Sequence, residues 1–253
     1  MSSVICKDLC KTFQQGDEII TGLDKVSIEI DEGDFVCLSG PSGSGKTTLL
    51  NAIGGLDTPD SGQIFIGGEQ IDRLGKGELA DMRLNNIGFV FQSYNLIPVL
   101  TARENVEFVM QVRGVPAAER SALSHDILKE VGLKGLEDRR PAQLSGGQQQ
   151  RVAVARAIVS QPKLVLGDEP TANLDTHTAR QLMDLFVELN QKHNITFVIA
   201  THDVRVMAYT KRLIRMEDGK IISDEVQSQS PLPLGDGDKD VTGRATHDAK
   251  AGG

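Results

Sequence analysis

Apolar positions along the chain keep two rhythms, and the switch between them predicts the elements. Period-two or unbroken apolar runs predict strands at Val4 to Cys6, Val26 to Ile30, Phe35 to Leu38, Gln63 to Ile66, Ile87 to Phe91, Leu164 to Leu166, Ile195 to Ala200, Leu213 to Met216 and Lys220 to Ile222. Helical spacing predicts helices over Lys46 to Leu56, Thr101 to about Val112, Pro116 to Val131, Gln148 to Val159 and Thr178 to Lys192. Thr101 with Glu104 reads as a capping box, and Gly132 closes the helix that Pro116 opens. Strand and helix alternate at both ends of this pattern, which predicts an α/β fold with a mostly parallel sheet. From Gln92 to about Gln161 only helical periodicity appears, so a helical subdomain, about 93–161, is expected as an insertion. One folded domain over 1–226 is expected. From Gln227 the chain turns to Ser, Pro, Gly and Asp with few large apolar side chains, and 227–253 is expected to be a disordered tail.

Composition changes this picture only by exclusion. The 253 residues carry a net charge of −8, which argues against nucleic acid as the main partner. Cys6, Cys10 and Cys37 have neither metal-ligand spacing nor a disulfide framework, so a reducing cytoplasm is expected. No basic-then-apolar N-terminal signal is present, and no apolar run nears the roughly 18 residues of a membrane span. A place at a membrane therefore requires a partner.

The chemistry begins at Gly40-Pro41-Ser42-Gly43-Ser44-Gly45-Lys46-Thr47-Thr48, set between a predicted strand and a predicted helix. This G-x-x-x-x-G-K-[ST] pattern, in that setting, is a phosphate-binding loop. Glycines let backbone N–H groups converge on an anion, and the helix N-terminus adds its positive end. Lys46 is expected to reach the β- and γ-phosphates, and the Thr47 hydroxyl to help hold Mg²⁺. The strand Leu164 to Leu166 leads to Gly167 and then two carboxylates, Asp168 for the metal and Glu169 for the attacking water. Leu144-Ser145-Gly146-Gly147-Gln148 supplies a capped helix start whose paired glycines allow a second close approach to an anion.

The phosphate loop, Gln92 after a strand, LSGGQ, Asp168-Glu169 and His202, in that order, resemble the ATP-binding subunit of an ABC transporter over about residues 4–222. The resemblance implies a P-loop NTPase core with an N-terminal antiparallel β subdomain and the inserted helical subdomain. It implies ATP and Mg²⁺, and a head-to-tail dimer in which each ATP lies between one chain's phosphate loop and the other's LSGGQ. Ser145, Gly146, Gly147 and Gln148 then touch ATP held by the opposite subunit, and Asn173-Leu174-Asp175 crosses the interface. Phe13 matches the aromatic that stacks on adenine. Gln92 matches the residue that reaches Mg²⁺ and the attacking water, and His202 the one that contacts the γ-phosphate.

The strings GLDTPDSG, FQSYNLIPVLTARENV and LGDEPTANLDT are similar to the group serving lipoprotein release and macrolide export. The implied protein is an ATPase on the cytoplasmic face of the inner membrane, partnered by a second copy and by integral membrane subunits. An amino-acid importer is the alternative. A DNA-repair ATPase lacks support because the chain has no coiled coil or cysteine pairs, and a ribosome-associated ATPase because only one set of motifs occurs. The apolar segment Ser93 to Leu100 is expected to pack partly beneath the helices and partly to receive a helix from the membrane subunit.

Overall fold

Strands and helices alternate much as the apolar rhythm predicts, in a computed structural model whose described residues are 2–227. The tail expected over 227–253 lies outside them, apart from Gln227, whose N–H donates to the Lys211 carbonyl at 2.7 Å. In chain order the first elements are β1 (Ser2–Gln15), β2 (Glu18–Asp31), β3 (Phe35–Ser39), α1 (Lys46–Ile53), β4 (Ser61–Ile66), β5 (Glu69–Gln70), α2 (Lys76–Asn86) and β6 (Ile87–Phe91). Three helices follow, α3 (Ala102–Val112), α4 (Ala117–Glu130) and α5 (Gly146–Ile158). The chain then runs through β7 (Leu164–Asp168), α6 (Thr176–His193), β8 (Thr196–Ala200), α7 (Val204–Met207), β9 (Arg212–Glu217) and β10 (Lys220–Val226).

Two sheets result. One is antiparallel, in the order β2-β1-β4-β5; the other has the order β10-β9-β3-β8-β7-β6, parallel except for the edge pair β10 and β9. Strands buried on both faces send successive side chains to opposite sides. Accordingly Phe35, Val165, Phe197 and Ile199 join a core with α3, α4, α5 and α6. Val36, Leu38, Leu164, Leu166 and Val198 join a second core with α1 and the antiparallel sheet. The central sheet is thus gripped from both sides, and the loops at the carboxyl ends of its strands are free to carry chemistry.

Several expected boundaries move for local reasons. The strand expected at Val4 to Cys6 is part of a 14-residue strand that pairs with another of equal length. Register shifts between Cys6 and Thr12 interrupt its period. Helix α1 stops at Ile53 rather than Leu56, because Gly54 and Gly55 close it, the latter at φ 60°. Helix α6 starts at Thr176, two residues earlier than expected, since Asp175 is its N-cap. Helix α2 and the short α7 were not expected at all. α2 buries one side chain, Met82, and so leaves almost no apolar stripe to read.

Candidate nucleotide site

The loop from β3 to α1 is built by crowding. A Cβ on Gly40, at φ 151°, would stand 2.2 Å from the Met216 carbonyl oxygen, and one on Gly45, at φ 101°, 2.5 Å from that of Gly22. Neither position admits a side chain. Gly45 caps α1 without a side-chain hydrogen bond, which leaves the first helical N–H groups available to an anion. Lys46 is buried along the loop, and its Nζ donates to the carbonyls of Gly40 and Pro41, each at 2.8 Å.

Strand β7 delivers the two acids. The Thr47 hydroxyl lies 3.2 and 3.1 Å from the two carboxylate oxygens of Asp168. Burial holds the Asp168 carboxyl above the usual aspartate range; the Thr47 hydrogen bond opposes this, Glu169 adds to it, and Lys46 only partly offsets it. A half-buried carboxylate short of positive charge, beside a hydroxyl, is a set of hard oxygens that fits a divalent cation such as Mg²⁺. Glu169 sits at φ 47°, its N–H donating to the Ala200 carbonyl at 2.9 Å. Its Oε1 accepts from the His202 N–H at 3.1 Å and meets the ring Nδ1 at 2.6 Å. Its Oε2 accepts from the Thr201 hydroxyl at 2.9 Å.

Gln92 emerges from β6 and is tied to the loop after β7. Asn173 Nδ2 donates to the Gln92 carbonyl at 3.1 Å, and Gln92 Nε2 to Asn173 Oδ1 at 3.4 Å. Phe13, on β1, is 41% exposed and has the Lys11 ammonium 5.5 Å from its ring centre. One cleft of about 690 Å³ gathers Phe13, residues 41–48, Gln92, Asp168, Glu169 and His202, together with Ile20, Thr21 and Gly22. Gly40 does not line it, though its carbonyl accepts from Lys46 Nζ.

Ser145, Gly146, Gly147, Gln148 and Asp175 do not line this cleft. Within the chain they do other things. Ser145 and Gln148 form a reciprocal cap on α5, at 2.9 and 3.3 Å. Asp175 caps α6 through the N–H groups of His177 and Thr178, both at 3.0 Å, and accepts the Thr178 hydroxyl at 2.6 Å. These bonds, the Thr178 hydroxyl first, hold its carboxyl below the usual range. The paired glycines have a packing reason that the sequence did not reveal. A Cβ on Gly147 would lie 2.3 Å from the Thr178 methyl, and one on Gly146 2.9 Å from the Tyr94 hydroxyl.

Sequence reasoning missed Thr201, whose place at the end of β8 reads as one more strand residue. It also missed the Ile20–Gly22 wall, which faces Phe13 only through the β1–β2 hairpin, where Phe13 pairs with Ile20.

The ABC transporter family model matches residues 23–172. The lipoprotein-releasing system ATP-binding protein LolD of Geobacter metallireducens is 41% identical over 88% of the chain and 100% of its own length. The macrolide export ATP-binding/permease protein MacB of Vibrio parahaemolyticus is 42% identical over 90% of the chain, which spans only 35% of that relative. Among solved structures, the dimeric ATP-binding cassette MJ0796 of Methanocaldococcus jannaschii, bound to ADP and Pi, matches with a TM-score of 0.82. It is 42% identical over 88% of this chain and 98% of its own.

Proposed function

The chain belongs to the ABC transporter family as an ATP-hydrolysing subunit of the LolD and MacB group, and from that premise we propose how its own residues carry the reaction. The reading rests on one observation: Lys46, Thr47, Gln92, Asp168, Glu169 and His202 line a single cleft, while Ser145 lies outside it. Phe13 stacks on the adenine. Gly40, Ser42, Gly43, Ser44, Gly45 and Thr48 surround the phosphates with backbone N–H groups, and Lys46 turns from its carbonyls to the β- and γ-oxygens. Thr47, Asp168 and Gln92 hold Mg²⁺, which neutralises charge on the phosphates when bound. A carboxylate offers about four acceptor positions. Three on Glu169 are taken, and the one left on Oε2 receives the proton of the attacking water. His202 orients that carboxylate and contacts the γ-phosphate.

Two copies complete the sites head to tail, each supplying Ser145, Gly146, Gly147, Gln148 and Asp175 to the nucleotide of the other. The exposed end of α5, and the dimer formed by MJ0796, support this. We assign 1–226 to the ATP-binding domain, with a helical subdomain at about 93–161.

No helix among the described residues is long and apolar enough to cross a membrane. An integral membrane subunit, which the relatives' transport names support, places the protein on the cytoplasmic face of the membrane. Its docking site is a mainly apolar groove of about 450 Å³ between α2, β6, α3 and α5, lined by Leu56, Leu84, Phe89, Phe91 and Val109 with Arg83 and Arg156 beside them. The expected segment 93–100 contributes only Asn95 to it. Leu96 packs against the core instead. Phe91 lines the groove and precedes Gln92, so a helix seated there senses the nucleotide through one peptide unit. The relatives' names support lipoprotein release or macrolide export as the process driven. Co-purification from detergent extract tests the reading: a polytopic membrane protein is expected, and ribosomes or DNA in its place would refute it.

A further inference from the structure

Gln150 lies in the second turn of α5 and is completely buried, among Val152, Ala153 and Val154 of the same helix. An amide in such a place needs partners, since an unpaired buried polar group is costly. Its Nε2 donates to the Pro170 carbonyl at 2.6 Å and to the Phe91 carbonyl at 3.3 Å. Its Oε1 has no partner. Both amide hydrogens are thus committed while the acceptor is left unsatisfied, which marks donation as the purpose of the side chain.

The two carbonyls stand at informative places. Phe91 and Asp168 are paired at the ends of neighbouring parallel strands. Beyond that pair the strands part, one into Gln92 and the other into Glu169 and Pro170. A single side chain from the helical segment therefore holds both departures, one residue before Gln92 and one after Glu169. The same helix is capped by Ser145, five residues before Gln150.

We propose that Gln150 is a positioning residue for ATP hydrolysis, fixing Gln92 and Glu169 relative to each other and to the start of α5; this rests on the roles given above to those two residues. It touches neither nucleotide nor water. A shift of α5 moves its amide, and with it both strand ends. Contacts at Ser145 are thereby felt at the chain's own acid.

Gln150→Met in the full-length chain tests this, because methionine keeps the volume and removes the donors. With excess Mg²⁺, kcat is expected to fall about tenfold or more while the KM for ATP stays within about twofold. A second readout does not depend on activity. Amide hydrogen exchange should quicken at Tyr94 and Ala172, whose N–H groups bond to Phe91 and Glu169. Exchange within α1 should be unchanged. Normal kcat overturns the proposal, as does a loss carried by KM or by a lowered melting midpoint with exchange at Tyr94 and Ala172 unaltered. Glu169→Gln serves as the control in the same assay. Normal turnover in that variant refutes the underlying site assignment, whereas a dead Glu169→Gln beside a normal Gln150→Met refutes only the role of Gln150.

Discussion

The ring Nδ1 of His202 lies 2.6 Å from Oε1 of Glu169, and the His202 backbone N–H shares that oxygen at 3.1 Å. An ionised carboxylate only accepts, so a ring hydrogen sits on Nδ1, and Nε2 is the ring atom left to meet the γ-phosphate. With the Thr201 hydroxyl on the other oxygen, the carboxylate is held at both ends by consecutive residues.

This clamp sets the first expectation. Glu169→Gln should bind ATP normally and lose about 100-fold or more in turnover, the range of a lost general base. Thr201→Val should lose turnover at an unchanged KM, and Thr201→Ser should restore it. Steady-state kinetics and equilibrium ATP binding separate these effects. Wild-type turnover in Glu169→Gln would remove it from the chemistry.

Lys46→Ala should behave differently, because it removes a charged donor from the phosphates and leaves the acid in place. ATP binding is expected to weaken about tenfold to a hundredfold, the scale of a hydrogen bond to a charged group. Titration calorimetry reads this directly, and an unaltered Kd would contradict the assignment.

The shared-site arrangement has its own signature. Lys46→Ala and Ser145→Arg chains should each be inactive, yet their mixture should regain part of the ATPase activity. One mixed site pairs two damaged halves and the other two intact halves. A mixture as inactive as its parents, at concentrations that form dimers, counts against two independently working sites.

Docking of the membrane subunit is expected to fail in Leu56→Glu, which puts charge into the groove at a side chain already 48% exposed. ATP binding by the free protein should persist. Leu96→Glu should instead loosen the fold, since that side chain packs on the helical core. Undiminished co-purification of folded Leu56→Glu would move the docking surface elsewhere.

A pH effect is expected far from the cleft, where Glu130 of α4 meets Lys192 and His193 of α6 at 2.7 and 2.8 Å. Burial raises the Glu130 carboxyl, but the bonds from Lys192 and His193 outweigh it and leave the group below its ordinary value of 4.5. A depressed acid stabilises the fold above its unfolded pKa and loses that contribution as pH falls through the folded one. Glu130→Gln should therefore lower the melting midpoint at pH 7, and the gap to wild type should close as pH falls from the ordinary glutamate value of 4.5 through the lowered one. A gap that persists in acid would mean that the pair is not the cause.

What could be read beforehand follows the range of the interactions. β3, β7 and β8 are unbroken apolar runs because both their faces are buried, and they stood out at once. α2 did not, since its one buried side chain leaves no stripe. The phosphate loop and the Asp168-Glu169 pair are local strings, and their residues do meet in one cleft. Thr201, the Asn173 grip on Gln92 and the buried donor Gln150 act between distant segments. In a run of three glutamines nothing distinguishes the inward one until α5 is laid against the sheet.

The amine of Lys46 has two loop-carbonyl partners, each at 2.8 Å. Those carbonyls leave one of the three ammonium hydrogens for phosphate, and any further contact there exchanges a loop carbonyl, so its net gain is smaller than the strength of the new bond. When the γ-phosphate leaves, those carbonyls stand ready to take the amine back. The loop thus competes with the product for its own lysine, which favours release of ADP and a site that empties between cycles.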